Sequence, residues 1–311
     1  VWPRLIVIAL GVWLWGPLAR AQAPVYKVDV KLVRVLATVR SNSGELVGTL
    51  EKQDFRVLDE GVEQEIAVFE RRTEQPLSVA LLIDTSLSTA IELRYEVESV
   101  RKFLKAFFAE GNPRDSLALY SFNYEVTRRT GFSRRAELFD SVLKRLKPEG
   151  GTSLYDAIYL ASQELEAREG RRVIVVVTDG GDTTSAKSFH EALQAAHLAD
   201  AVLYAILVMP IKSDPGRNVG GENALAGLAA GTGGRVFTPS VGAALDEAFV
   251  QILRELRTQY LLGFYPRGVP PVKDGFHRLQ VRVRRPDLQV SARSGYYEGS
   301  APSSRGWKTV R

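Results

Sequence analysis

The sequence predicts an α/β protein. Its centre is a doubly wound, mostly parallel sheet with helices on both faces, joined to a β-sandwich-like domain made from the flanking segments. Three observations point there. Residues 77–83 and 173–177 are apolar runs, broken only by Ser78, as expected of strands buried on both faces. Between 76 and 258, strand-like runs alternate with segments of helical period, the pattern of a parallel sheet with crossover helices. At 24–75 and 259–299 the pattern is β alone.

Residues 1–23 read as a secretory signal: Arg4 is basic, 5–18 is apolar, and Ala19-Arg20-Ala21 and Ala21-Gln22-Ala23 put small residues at cleavage spacing. The apolar run of about 14 residues falls short of the ~20 that span a bilayer. The expectation is an exported protein, periplasmic or secreted, with no stable membrane span after cleavage; an uncleaved anchor is the alternative.

In the 24–75 segment Val28, Val30 and Leu32 alternate with polar residues, and then the phase flips to Val33, Val35, Ala37 and Val39. Such a flip suggests a bulge or a change of neighbour. Ser41 to Gly44 is a turn, and 55–58 with 66–69 read as a hairpin around Asp59-Glu60-Gly61. The central domain, 76–258, opens with the 77–83 strand. Leu93, Val97, Val100, Leu104 and Phe107 then recur at helical spacing, giving a helix over 89–109. A strand at 116–122, an antiparallel edge at 124–130 and a helix at 134–147 follow. From Ser153 a helix turns Leu154, Ala157, Ile158, Ala161 and Leu165 inward. After the 173–177 strand, Ser188 and Glu191 form a capping box. Then come a strand at 202–208, a loop at 211–221, an Ala-rich helix, a short strand at 233–237 and a helix over 241–258. Strands at 261–265, 276–284 and 288–292 are expected to pair with the 24–75 segment; two separate β appendages are the alternative. The tail 300–311, rich in Ser, Pro and basic residues, is expected to be disordered.

Composition narrows the function. The 311 residues are 45% hydrophobic and 25% charged, with no cysteine, which excludes a disulfide framework and a thiolate metal site. A net charge of +5 is weak evidence for nucleic acid, and the polar, partly basic strand face of Gln280, Arg282 and Arg284 suits the solvated face of an antiparallel sheet. No nucleic-acid partner is expected. The three histidines, 190, 197 and 277, have no metal or triad spacing and read as surface or packing residues.

Ligands of open α/β sheets bind beyond the carboxyl ends of the strands. Asp84, Ser86 and Ser88 leave the first core strand, Asp179 ends the Val-rich strand, and Thr152 sits in a Gly-Gly loop before a helix. Two carboxylates and three hydroxyls suit a hard cation: Mg²⁺, with Mn²⁺ or Ca²⁺ as alternatives. Few direct anionic ligands leave such an ion open to an incoming carboxylate. Asp182 reads as a loop residue and Asp115 as a turn residue.

These residues resemble the von Willebrand factor type A domain and its metal-ion-dependent adhesion site. That family carries D-x-S-x-S after the first strand, a Thr before a helix and an Asp after a later strand; here these match Asp84, Ser86 and Ser88, then Thr152, then Asp179. The flanking pieces resemble a bacterial secreted group of such proteins, with Asp54-Phe55 through Gly61 matching its DF-x-V-x-D/E-x-G pattern. Leu87-Ser88-Thr89 stands where relatives more often have Gly-Ser-Met. The resemblance implies a non-catalytic module whose cation bridges to an Asp or Glu carboxylate on a protein partner, and whose last helix shifts on binding. Two other functions compete: a structural protein with a purely stabilising metal, and a metal-dependent phosphatase. The phosphatase needs a second carboxylate two residues after the first, and Ser86 stands there.

Overall fold

The computed structural model describes residues 31–71, 74–208 and 219–298. The expected signal, most of the 211–221 loop and the tail lie outside them. The chain begins with β1 (Val33–Ser41), β2 (Phe55–Asp59), β3 (Val62–Gln64) and β4 (Ile66–Arg71). The α/β part follows: β5 (Leu77–Asp84), α1 (Leu93–Glu110), β6 (Ser116–Phe122), β7 (Val126–Ser133), α2 (Ala136–Leu143) and α3 (Leu154–Glu166). It continues with β8 (Arg171–Thr178), α4 (Phe189–Leu198), β9 (Ala201–Leu207), α5 (Val219–Thr232), β10 (Arg235–Phe237) and α6 (Ala243–Thr258). Last come β11 (Tyr260–Phe264), β12 (Phe276–Val283), β13 (Leu288–Ala292) and β14 (Gly295–Tyr297).

The central sheet runs β10-β9-β8-β5-β6-β7. All its pairs are parallel except β6 with β7. Alternate residues of one strand serve opposite cores, which is why β5 and β8 are apolar throughout. Leu77, Val79, Leu81 and Ile83 pack with Val97 and Phe103 of α1 and Phe249 and Ile252 of α6. Ala80 and Leu82 pack with Leu154 and Ile158 of α3, Ala192 of α4 and Leu225 of α5. After β5 the chain moves to β6 and β7; from β8 onward it moves the other way, to β9 and β10. The order therefore reverses between β5 and β8, the place where such sheets open a crevice at their carboxyl ends.

The flanking segments form two antiparallel sheets, β13-β1-β11-β4 and β14-β12-β2-β3. β1 is bracketed by β11 and β13, and β2 pairs with β12, so both sheets mix strands from the two ends of the chain. A shared core of Val35, Val57, Leu262, Phe264, Leu279 and Tyr296 lies between them. This is the sandwich-like arrangement expected from the sequence.

Several local expectations are corrected. The return strand of the first hairpin is β3, around Glu60 and Gly61, both at positive φ. Residues 66–71 instead cross to the other sheet and pair with β11. Alternation reports which residues are half-buried but not which strand is the neighbour. The first core helix starts at Leu93, because Leu87–Thr89 forms a single 3₁₀ turn. α5 begins at Val219, inside the segment expected as loop. β14 was not expected; three residues are too few for a periodic signal. The part of the 24–32 alternation before residue 31 lies outside the described residues.

The two parts are joined covalently with only Gln259 between α6 and β11. Glu255 of α6, 2% exposed, lies 2.5 Å from Arg40 of β1 and 3.1 Å from Arg235 of β10. Arg171, at the start of β8, donates to the carbonyl of Leu256 in the last turn of α6, where a cation also meets the negative end of the helix dipole.

Candidate metal centre

Asp84 ends β5 with no solvent exposure. Because Ile83 is in register with Val177, Asp84 and Thr178 leave the sheet side by side. The Thr178 hydroxyl donates to Asp84 Oδ2 at 2.6 Å, and the Ser86 backbone N–H donates to Oδ1 at 2.8 Å. Burial pushes the carboxyl up to about 6 even though these hydrogen bonds pull it down. The turn that follows is held by Thr89, whose hydroxyl donates to the Ser86 carbonyl at 3.0 Å. It presents the Ser86 and Ser88 hydroxyls 2.9 Å apart, with Ser86 buried and Ser88 exposed.

Thr152 reaches the same place through its backbone neighbours. Ser86 and Glu149 form a parallel bridge, and the Glu149 N–H donates to the Thr85 carbonyl at 2.8 Å. On its other side, the Thr152 N–H donates to the Thr183 hydroxyl at 2.9 Å, and the Thr152 carbonyl accepts from the Thr183 N–H at 2.8 Å. The Thr152 loop is thus stitched between the Asp84–Ser88 turn and the loop that follows Asp179. Asp179 is half-buried directly after β8. The five expected residues therefore sit on three neighbouring loops at one end of the sheet.

Two acidic residues lie elsewhere in role, as expected. Asp182 accepts from the Ser185 hydroxyl at 2.5 Å and holds the loop together. Asp115 accepts from the Leu77 N–H at 2.7 Å, at the opposite end of β5. Of the histidines, His197 is buried, bonded to the Gly231 carbonyl and pushed down to about 4 by that burial. His277 is buried between Asp59 and Glu298 in the sandwich. Neither approaches the candidate centre.

Sequence reasoning missed Glu96. It is fully buried on α1, and neither carboxyl oxygen has a partner. Burial, and then the nearby charges of Asp84, Asp179 and Glu92, push its pKa well above the usual carboxylate range. The signal was present: residues 93, 96, 97, 100 and 104 are one helical face, so a Glu stands in the core stripe.

The donor set fits a hard cation. Among the described residues no three His, Cys, Asp or Glu side chains form a metal cage, so any site here depends on hydroxyls. Neighbouring ligands of an octahedral Mg²⁺ bound at about 2.0–2.1 Å lie roughly 2.9 Å apart, and the two serine hydroxyls are at that separation. Among the described residues neither Asp84 nor Glu96 is paired with a cation, although both are buried within reach of Asp179. Desolvated carboxyls gathered like this hold protons unless a positive charge joins them.

An open α/β sheet with hydroxyls and carboxylates gathered at its point of reversal defines a class of domain. Residues 79–181, within the α/β part, match the family model of the von Willebrand factor type A domain. Three solved structures are similar. The von Willebrand factor domain of the type V pili tip protein Mfa5 from Porphyromonas gingivalis is 15% identical, over 58% of this chain and 94% of its own, at a TM-score of 0.46. The PilB minor pilin from Streptococcus sanguinis is 14% identical, over 60% of this chain and 62% of its own, at 0.47. BatB from Bacteroides thetaiotaomicron is 17% identical, over 58% of this chain and 98% of its own, at 0.47. The search of curated proteins gave no match. No helix among the described residues is long and apolar enough to cross a membrane.

Proposed function

We infer that this chain is an exported, non-catalytic protein-binding module that uses a divalent cation, Mg²⁺ in the first instance, to hold an acidic residue of a partner protein. Ser86, Ser88 and Thr152 would hold the ion through neutral hydroxyls, while Asp84 and Asp179 supply the balancing charge. Both Asp84 oxygens already accept hydrogen bonds, so its role is to charge and orient the turn. The ion would supply an electrophilic coordination position for a carboxylate.

The observation that carries this reading is the pairing of the two serine hydroxyls at 2.9 Å with the buried Glu96 carboxyl, which has no hydrogen-bond partner and lies within electrostatic reach of Asp84 and Asp179. Ser86, two residues after Asp84, offers no second carboxylate for the acid–base work of a phosphatase. The test is capture from culture medium or periplasm on immobilised full chain. A partner retained in Mg²⁺, released by EDTA and not retained by Asp84→Ala supports the module. Equal retention in EDTA contradicts it. If Mg²⁺ only raises the melting temperature and no protein is retained, the ion is structural.

A further inference from the structure

Among the described residues, six large apolar side chains are markedly exposed: Leu87, Ile91, Tyr124, Leu198, Val219 and Tyr265. Single exposed apolar residues are ordinary; the placement of these is not. Leu87 and Ile91, 64% and 51% exposed, follow β5, and Tyr124, 58% exposed, follows β6. Val219 opens α5, where Gly221 lies against Gly180 in the loop after Asp179. Four of the six thus lie on segments that adjoin the loops of the candidate metal centre.

The floor between them is bare backbone. Tyr124 N–H donates to the Gly150 carbonyl at 3.1 Å. A Cβ on Gly151 would fall 2.9 Å from Tyr124 Cβ, and one on Gly150 would fall 3.9 Å from Leu87 Cδ1. Gly150 and Gly151 therefore lie between Leu87 and Tyr124 and lead straight to Thr152.

We propose that this rim selects the partner: it takes an exposed segment in which an Asp or Glu is flanked by large aliphatic or aromatic residues. The carboxylate goes to the cation, and the neighbouring apolar side chains cover Leu87, Ile91 and Tyr124. A partner offering only acidic residues would match the charge and leave the rim in water. This inference rests on the cation-bridging reading and narrows it, because apolar burial beside a single charge contact favours short, mixed sequences over polyanions.

The test is selection of a random dodecapeptide phage library on the full chain in Mg²⁺, with elution by EDTA. The expected peptides carry Asp or Glu within three residues of Leu, Ile, Phe, Tyr or Trp. A synthetic copy of the dominant peptide should bind Leu87→Ser and Tyr124→Ser at least tenfold more weakly; both positions are more than half exposed, so neither change opens the core. EDTA-eluted acidic peptides without apolar neighbours, or unchanged affinity in both variants, overturn the rim's role and leave the cation bridge standing. If EDTA elutes no peptide, both are overturned.

Discussion

The Thr178 hydroxyl donates a 2.6 Å hydrogen bond to Asp84 Oδ2, joining the carboxyl ends of two neighbouring core strands at a buried charge. Thr178→Val keeps the shape and removes the donor. Leaving a buried carboxylate oxygen unsatisfied costs about 1–3 kcal/mol, so the unfolding free energy should fall by that amount, read as a lower denaturant midpoint with an unchanged slope. An unaltered midpoint would mean that Asp84 does not depend on this bond.

Gly151 has φ +77° and no room for a Cβ beside Tyr124 and Thr184. A non-glycine residue in this conformation costs about 1–2 kcal/mol before any clash. Gly151→Ala should lower thermal stability by at least that amount and weaken Mg²⁺ binding by displacing Thr152. The same titration on wild type and variant checks it.

Glu96→Gln removes a buried ionisable group without changing its size. If the carboxylates of α1 and of the loops together attract the ion, Mg²⁺ affinity should drop about tenfold, the equivalent of roughly 1.4 kcal/mol. Calorimetric titration at constant pH reads this directly, and an unchanged affinity would reduce Glu96 to a misplaced core residue.

Glu255 ties α6 to both parts of the molecule through Arg40 and Arg235. Glu255 is buried and Arg40 mostly so, while the Arg235 side chain is 43% exposed, so removing the carboxylate costs about 3 kcal/mol, the low end for a buried ion pair. Glu255→Ala should destabilise by about that much and speed hydrogen exchange in both 243–258 and 260–264. Faster exchange confined to the helix would show that the sandwich is not coupled to it. The same measurement on wild type, with and without a ligand, tests whether the last helix shifts on binding; identical exchange removes that expectation.

His277 lies 3.2 Å from Asp59 and 3.0 Å from Glu298, and Tyr296 also donates to Asp59 at 2.7 Å. Burial opposes the charged ring, but the hydrogen bonds and charges of Glu298 and Asp59 outweigh it, so the pKa is raised. A raised histidine pKa stabilises the fold fully below the unfolded value of about 6.5 and loses that contribution as pH climbs through the folded value. That contribution should therefore be lost as pH rises above about 6.5, and His277→Gln should flatten that part of the profile. A profile identical to wild type would contradict the charged assignment.

Much of this was legible in the chain. β5 and β8 announced themselves as unbroken apolar runs because each faces two cores, and Ser188 with Glu191 marked the start of α4 by a capping box that the structure contains. The loop placement of Asp84, Ser86, Ser88, Thr152 and Asp179 followed from strand order and the rule that crevices open at carboxyl ends. What escaped was set by tertiary pairing. Residues 66–69 read as the return strand of a hairpin with β2, and only the pairing with β11 shows that 66–71 belong to the other sheet. Glu96 escaped because a polar residue on a helix is counted as exposed by default, although its phase with Leu93, Val97 and Val100 put it inside.

The central claim is that oxygen donors on three loops hold one divalent ion. Isothermal titration of Mg²⁺ into chelator-treated full chain tests it most directly. The account predicts one saturable site per chain, abolished by Asp84→Ala and weakened at least tenfold by Ser86→Ala. The absence of a saturable site, or a site untouched by both substitutions, would contradict it.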